Sequence, residues 1–146
     1  SAGRLTEAIT LFEQVLTDSI RILGEDHPNT LGSRNNLAAT YRSAGRLTEA
    51  ITLFEQVLTD RTRILGTKHP DTLATLNALA SMYKAEGHLS EAIALYEQVL
   101  TDRTRILGKD HPDTLATLDA LARAYKDAGF LDKATALLEG VISTEG

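Results

Sequence analysis

A repeat of 42 residues constrains the fold of this chain more than any other feature. Aligned without gaps, residues 44–85 and 86–127 carry the same amino acid at 31 of 42 positions, and residues 2–43 match 44–85 at 29 of 42. Because stacked repeats bury their apolar faces against neighbouring copies, we predict a single solenoid domain rather than a globule. Its expected parts are a half repeat, two full repeats and a truncated repeat, over residues 1–28, 29–70, 71–112 and 113–146.

Apolar residues within each copy recur at spacings of three and four, which indicates amphipathic helices. The first of these helices runs from residue 5 to about residue 23 and is termed a B helix. Gly24 and Pro28 then end it, since glycine adopts left-handed backbone angles easily and proline cannot continue a helix. Asn29 and Thr30 offer side-chain oxygens that would cap a following A helix, which runs to about residue 44.

The same alternation of B and A helices continues along the chain, and no segment alternates apolar and polar residues over the length of a strand. The sequence therefore predicts an all-α solenoid of antiparallel helix pairs with seven helices. We expect Ala80 and Ala92 where helices approach closely, and Leu79, Tyr83 and Tyr96 in the gaps between them. The later helices are predicted over residues 47–65, 71–86, 89–107, 113–128 and 131–143.

Charge and composition argue against several classes of function. The 15 basic and 20 acidic residues are mixed along the chain and give a net charge of -5, so we predict no nucleic-acid partner. Without cysteine the chain has no disulfide or thiolate metal site, which is compatible with a cytoplasmic location. No apolar run approaches the roughly 20 residues that cross a bilayer, so no membrane partner is predicted. The chain opens in the middle of a repeat, and we expect it to be a piece of a longer array.

The order of small and large residues resembles the tetratricopeptide repeat family. Seven positions in each copy fall at the intervals of that family's consensus, and the match covers nearly the whole chain. The family's closing proline is expected near Thr104, but Pro112 lies eight residues later, which predicts a longer B helix. This form is similar to the repeats of kinesin light chain and of bacterial multidomain signalling proteins. The matching positions are Leu37, Ala38, Tyr41, Gly45, Ala50, Phe54 and Val57; Leu79, Ala80, Tyr83, Gly87, Ala92, Tyr96 and Val99; and Leu121, Ala122, Tyr125, Gly129, Ala134, Leu138 and Val141.

The resemblance implies a right-handed superhelix whose concave wall, lined by A helices, binds a peptide or another protein. Asparagine side chains donate and accept hydrogen bonds, and a basic column favours acidic side chains or a terminal carboxylate. We therefore predict a protein-interaction scaffold with an acidic peptide as the candidate partner. The lysines have an alternative role as charges that are solvent-exposed or paired within their own helices. The implied columns are Asn35, Asn77 and Asp119; Ala39, Ser81 and Arg123; and Arg42, Lys84 and Lys126.

A structural role as a spacer or self-assembling module is the alternative to peptide binding. A leading B helix without an A helix before it would leave Ile9 and Phe12 under-covered, and solenoids need a polar cap to stay monomeric. End-to-end stacking of two molecules would then form a homo-oligomer. The identity of residues 2–18 with 44–60 is consistent with recent duplication or with design.

Three histidines, His27, His69 and His111, lie at successive junctions from a B helix to an A helix. Stacked repeats would hold them on the order of 10 Å apart, whereas a bond from zinc to nitrogen is about 2 Å. We expect these histidines to cap the carbonyl ends of the B helices. The serines lie outside any nucleophile motif, and no phosphate-binding loop is present. We therefore predict no enzyme activity, no metal and no cofactor.

Overall fold

The computed structural model describes the backbone of residues 2–145 and the side chains of residues 3–140. Within these residues the chain forms seven α-helices and no β-strand, so the all-α prediction is confirmed. The B helices are α1, α3, α5 and α7, and the A helices are α2, α4 and α6. The side chain of Val141, a consensus position in α7, lies outside the described residues. The helices are α1 (Ala2–Leu23), α2 (Pro28–Ser43), α3 (Leu47–Leu65), α4 (Pro70–Ala85), α5 (Leu89–Leu107), α6 (Pro112–Asp127) and α7 (Leu131–Glu145).

Glycine ends the central B helices where the sequence predicted. Helices α3 and α5 span the predicted residues, and Gly66 and Gly108 follow them with φ angles of 93° and 95°. Positive φ angles of this kind are strained for residues with a Cβ atom, which accounts for glycine at both positions. The amides of the two glycines donate to the carbonyls of Thr62 and Thr104 at 3.0 and 3.1 Å, which closes the last helical turn.

Each A helix begins one residue earlier than predicted, at the proline of a His-Pro pair. The Nδ1 atoms of His27, His69 and His111 accept hydrogen bonds from the backbone amide two residues later, at 3.1, 3.1 and 3.0 Å. A residue that precedes proline favours extended backbone angles, which are also those of a helix N-cap. The prediction that these histidines cap the B helices is therefore wrong. So is the prediction that Asn29 and Thr30 cap α2.

The chain divides into two compact units, Ser1–Met82 and Tyr83–Gly146. In the first unit α2 packs against both α1 and α3, and in the second α6 packs against both α5 and α7. In each unit, therefore, one A helix packs between two B helices and contributes buried side chains to the core. Core side chains with at most 3 % exposure include Leu37, Phe54, Val57 and Leu79 in the first unit and Ala92, Tyr96, Val99 and Leu121 in the second.

The three gap-filling residues named by the sequence are buried to different degrees. Leu79 and Tyr96 are each 3 % exposed, and Ala80 and Ala92 have no exposed surface, as predicted. Tyr83 is only half-buried, and its ring meets the ring of His88 edge-on with the centroids 6.4 Å apart. Truncation of Tyr83 should therefore cost less stability than truncation of a fully buried aromatic side chain.

Arginine side chains tie two B helices to the A helices that follow them. Arg61 of α3 donates to Thr75 Oγ1 at 2.8 Å, and Arg103 of α5 donates to Thr117 Oγ1 at 2.8 Å. Each guanidinium also reaches a backbone carbonyl in the first turn of the same A helix, at 3.4 and 3.3 Å. In the first copy the arginine position is Ser19, whose carbonyl accepts from Thr30 Oγ1 at 3.4 Å instead. This contact was not predicted from the sequence.

Candidate functional site

The sequence predicts nine binding residues on the A helices, five in the first unit and four in the second, and these residues are here called the A-helix face. Within each helix they lie four and then three residues apart, which places them on one side of the helix. In α6 all three are exposed, whereas Asn35 of α2 and Asn77 of α4 are half-buried. Each unit therefore presents polar side chains on its A helices while their other residues fill the core. The nine are Asn35, Ala39, Arg42, Asn77, Ser81, Lys84, Asp119, Arg123 and Lys126.

In the first unit the A-helix face combines amide, hydroxyl and guanidinium groups. Ser81 Oγ donates to the carbonyl of Ala78 at 2.8 Å, so its proton is used locally while its oxygen can still accept a hydrogen bond. Arg42 is exposed, and the side chains that the structure describes place no carboxylate within ion-pair distance of it. Arg42 therefore presents a positive charge at the surface of the first unit.

In the second unit two of the candidate cations are paired with aspartates. Arg123 pairs with Asp119 one turn earlier on α6 at 3.0 Å, with both side chains more than half exposed. Lys84 Nζ lies 3.2 Å from Asp127. Lys126 is exposed, and no carboxylate of the described side chains pairs with it. The basic column predicted from the sequence is therefore partly neutralised, with Lys126 as its open charge in this unit.

The pair between Lys84 and Asp127 corrects one detail of the sequence analysis. A paired lysine was considered there only within a single helix, but this pair joins the end of α4 to the end of α6. The two residues are 43 positions apart rather than 42, so a comparison of strictly equivalent positions does not reveal them. A search of neighbouring copies for opposite charges one residue out of register would have found the pair.

Tyr125 lies beside the A-helix face and forms a short hydrogen bond in the second unit. Its hydroxyl donates to Glu97 Oε2 of α5 at 2.6 Å. Burial, and secondarily this hydrogen bond to a carboxylate, raise the pKa of Tyr125 to about 12. The tyrosine therefore stays neutral throughout the physiological range and holds α6 to α5.

Equivalent clefts between helices have different chemistry in the two units. The cleft in the first unit, about 390 Å³, includes Arg34, Gln56 and Asp60 in its lining. The cleft in the second, about 350 Å³, includes Leu118 and Gly140 at the positions of Arg34 and Gln56. The cleft of the first unit is therefore mainly polar and that of the second mainly apolar. Neither cleft was predicted from the sequence.

The uncovered residues of α1 differ from those predicted. Ile9 is 5 % exposed, so the prediction that it is under-covered is wrong. Phe12 is half-buried. Leu11 and Val15 are 61 % and 50 % exposed, so the exposed apolar surface of α1 is centred on them.

The described residues contain neither a cluster of metal ligands nor a helix that could cross a membrane. These residues contain no cluster of three or more histidine, cysteine, aspartate or glutamate side chains that could hold a metal ion. In the part of the chain covered by residues 2–145, no helix combines the length and apolar character needed to cross a membrane.

The sequence model of the tetratricopeptide repeat matches residues 1–60, 33–103 and 91–142, which together cover almost the whole chain. The chain belongs to the tetratricopeptide repeat family. The resemblance found in the sequence is therefore confirmed, as is the helical-repeat solenoid fold. Tetratricopeptide repeats are a scaffold type that generally mediates interaction between proteins.

Solved structures contain the same tetratricopeptide arrangement. A kinesin light chain-like protein of Podosopora anserina with nearly identical TPR-like repeats is 38% identical, with a TM-score of 0.90 over 98% of this chain and 68% of that chain. A variant of the same protein gives the same values. BtubC (BKLC) from P. vanneervenii has a TM-score of 0.85 at 24% identity, over 94% of this chain and 55% of that chain, which shows a shared fold. No curated protein sequence matches significantly.

Proposed function

We propose that this tetratricopeptide repeat chain binds a peptide or a segment of a protein partner on its A-helix face. The observation that carries the proposal is the recurrence of exposed or half-buried polar side chains at two equivalent positions of α2, α4 and α6, and at a third position of α4 and α6. Amide and hydroxyl groups can satisfy the backbone of an extended peptide, while Arg42 and Lys126 attract carboxylates. The partner of best fit is an acidic segment or a chain terminus with a free carboxylate.

A titration with a fluorescein-labelled oligoglutamate peptide that ends in a free carboxylate tests this function. Fluorescence anisotropy should show saturable binding that weakens as salt is added, because the contacts are between exposed charges. Arg42→Glu probes the first unit and Lys126→Glu the second, and at least one should weaken binding by about tenfold, which corresponds to about 1.4 kcal/mol. Thermal stability should not change, since both side chains are exposed.

Lys68→Glu provides the matched control, because Lys68 is an exposed lysine at the junction between α3 and α4, away from the A-helix face. It changes the net charge by the same amount as Lys126→Glu. Equal affinity of the wild type and both face variants would refute the electrostatic part of the proposal. Equal weakening by Lys68→Glu would show a response to net charge alone and would also count against a defined site.

A second candidate function is structural, in which copies of the chain assemble through their apolar surfaces. It is favoured by the exposure of Leu11 and Val15 on α1 and of Phe130 and Leu131 near the start of α7. Light scattering coupled to size exclusion should then show a mass that rises with concentration above 15.8 kDa. A constant mass would leave peptide binding as the better candidate. The acidic nature of the partner, the exclusion of nucleic acid and the cytoplasmic location stay predictions.

A further inference from the structure

Two aspartates of α6 already occupy cations of the A-helix face in the second unit. Asp119 Oδ2 lies 3.0 Å from Arg123 Nε, and Asp127 Oδ2 lies 3.2 Å from Lys84 Nζ. All four residues belong to the second unit. In the first unit, Arg42 is exposed and no carboxylate of the described side chains pairs with it. The two units therefore differ in whether an internal carboxylate competes for the cations of the face.

The charged residues that form this difference are specific to the third copy of the A helix. At the positions of Asp119, Arg123 and Asp127, the other two copies have uncharged residues. The third copy thus adds two negative charges and one positive charge to positions that are otherwise neutral. The equivalent residues are Asn35 and Asn77 for Asp119, Ala39 and Ser81 for Arg123, and Ser43 and Ala85 for Asp127.

The stability of the second unit does not explain the pair of Asp119 and Arg123. The two side chains are 61% and 72% exposed and lie on the same helix, so their contact joins no two elements of the fold. Exposed pairs of this kind contribute little to folding. The pair of Lys84 and Asp127 joins two helices and is less exposed, with side-chain values of 29% and 51%. It contributes more to stability, but it also uses a predicted binding lysine.

An external carboxylate can reach these cations only by sharing them with an aspartate or by displacing it. Each aspartate is tethered beside its cation, which gives it an effective concentration on the order of millimolar or higher. Its negative charge also repels an approaching carboxylate. An acidic ligand at micromolar concentration therefore gains less binding energy from Arg123 and Lys84 than it would from the same cations without the aspartates.

We propose that Asp119 and Asp127 are internal competitors for the acidic ligand, which lower the affinity of the second unit and leave the first unit as the stronger site. The inference rests on the proposed function and adds the control of affinity at the same surface. It assigns a role to two carboxylates that make no predicted contact of their own with an acidic partner. Their removal should strengthen binding, whereas removal of a binding residue weakens it.

Replacement of each aspartate by the residue of another copy tests the proposal on the full chain. With the labelled oligoglutamate peptide, Asp119→Asn should strengthen binding about threefold and Asp127→Ala about fivefold, the second more because the pair of Lys84 is less exposed to solvent. Both gains should shrink in high salt, which screens the charges involved. Asp110→Asn is the matched control, since Asp110 is exposed at the junction before α6 and its loss changes the net charge equally. It should leave the affinity unchanged.

The same substitutions in an Arg42→Glu background isolate the second unit, because the open cation of the first unit is then removed. Asp119→Asn and Asp127→Ala should restore part of the lost affinity there, and circular dichroism melting should show that every variant folds. If the wild type binds and neither substitution strengthens binding, or if Asp110→Asn gives the same gain, the inference is overturned while peptide binding stands. If neither the wild type nor any variant binds, the proposed function itself fails, and the inference fails with it.

Discussion

Helices α1 and α3 share the same sequence over residues 5–18 and 47–60, yet one lies at the edge of its unit and the other between two A helices. Both form regular helices, because backbone hydrogen bonds and helix propensity are local properties of the sequence. They differ in burial, ion pairing and ties to the next helix, all of which require a neighbour. The comparison separates the local interactions that form a helix from the tertiary contacts that pack it into the protein. Substitutions at equivalent positions of the two helices can test this difference.

The largest difference in stability is expected when the equivalent phenylalanines, Phe54 and Phe12, are truncated to alanine. Phe54→Ala should lower the free energy of unfolding by about 3 to 5 kcal/mol, because Phe54 is 3 % exposed and its removal leaves a cavity. Phe12→Ala should cost less than half of that, since Phe12 is half-buried and water can fill the space. Urea denaturation of both variants measures the two losses. Equal losses would show that the packing around the two helices is equivalent after all.

The next largest loss of stability is expected when the ion pair of Asp60 is removed, in comparison with the ion pair of its equivalent, Asp18. Arg34→Ala should cost about 2 kcal/mol, because it leaves the largely buried Asp60 with only a distant contact to Arg63 at 3.4 Å. Arg21→Ala should cost about 0.5 kcal/mol or less, since Arg21 and Asp18 are both exposed. Denaturation in low and high salt should show that added salt reduces only the second effect. The same salt response in both pairs would contradict the difference in burial.

Removal of the hydrogen bond between a B helix and the next A helix should lower stability by a smaller amount. Arg61→Ser should cost about 1 kcal/mol, because Thr75 loses its guanidinium partner. The reverse change in the first copy, Ser19→Arg together with Ser33→Thr, should raise stability by a similar amount. Thermal denaturation and a double-mutant cycle for Arg61 and Thr75 measure the coupling. No gain in the first copy would mean that the two junctions differ in backbone geometry as well as in sequence.

The smallest contribution to stability is expected from the hydrogen bond between Arg46 and Glu49 at the start of α3. Arg46 donates to Glu49 Oε1 at 2.7 Å and lies 4.5 Å above the ring of Tyr41, so α2 helps to position it. This hydrogen bond lowers the pKa of Glu49. The contribution to stability is therefore present above the ordinary glutamate pKa and is lost as pH falls through the lower folded value. An NMR titration should show this pKa returning upward in Arg46→Ala, and an unchanged value would rule out Arg46 as its cause.

Helix ends were largely predictable because their signals are local. Gly66 and Gly108 end α3 and α5 at the predicted residues, since glycine tolerates the positive φ angle that a helix end requires. The histidines were correctly placed at the junctions, but they were predicted to cap the B helices and instead cap the A helices. Each lies within a few residues of both a helix end and a helix start, and only the atom positions show that Nδ1 of His111 faces the amide of Asp113.

The side of each A helix that carries the candidate residues follows from the sequence, but the pairing of their charges does not. Helical spacing alone assigns Asp119, Arg123 and Lys126 to one side of α6. It does not reveal that Arg123 is paired with Asp119, nor that Lys84 reaches Asp127 on another helix. These pairings depend on side-chain directions and on the offset between stacked helices, which a period of 42 residues does not specify.

By itself the sequence determined the repeat, the helical class, the main helix boundaries and the family, because these follow from contacts within a few residues and from internal similarity. The tertiary structure alone decided that Val57 is buried while Val15 is exposed, and that Asp60 is held by Arg34 while Asp18 faces solvent. Identical residues acquire these different properties because burial and ion pairing are set by every neighbouring element in space. The backbone hydrogen bonds of a helix form within the helix itself, whereas the burial of its side chains depends on the helices that pack against it.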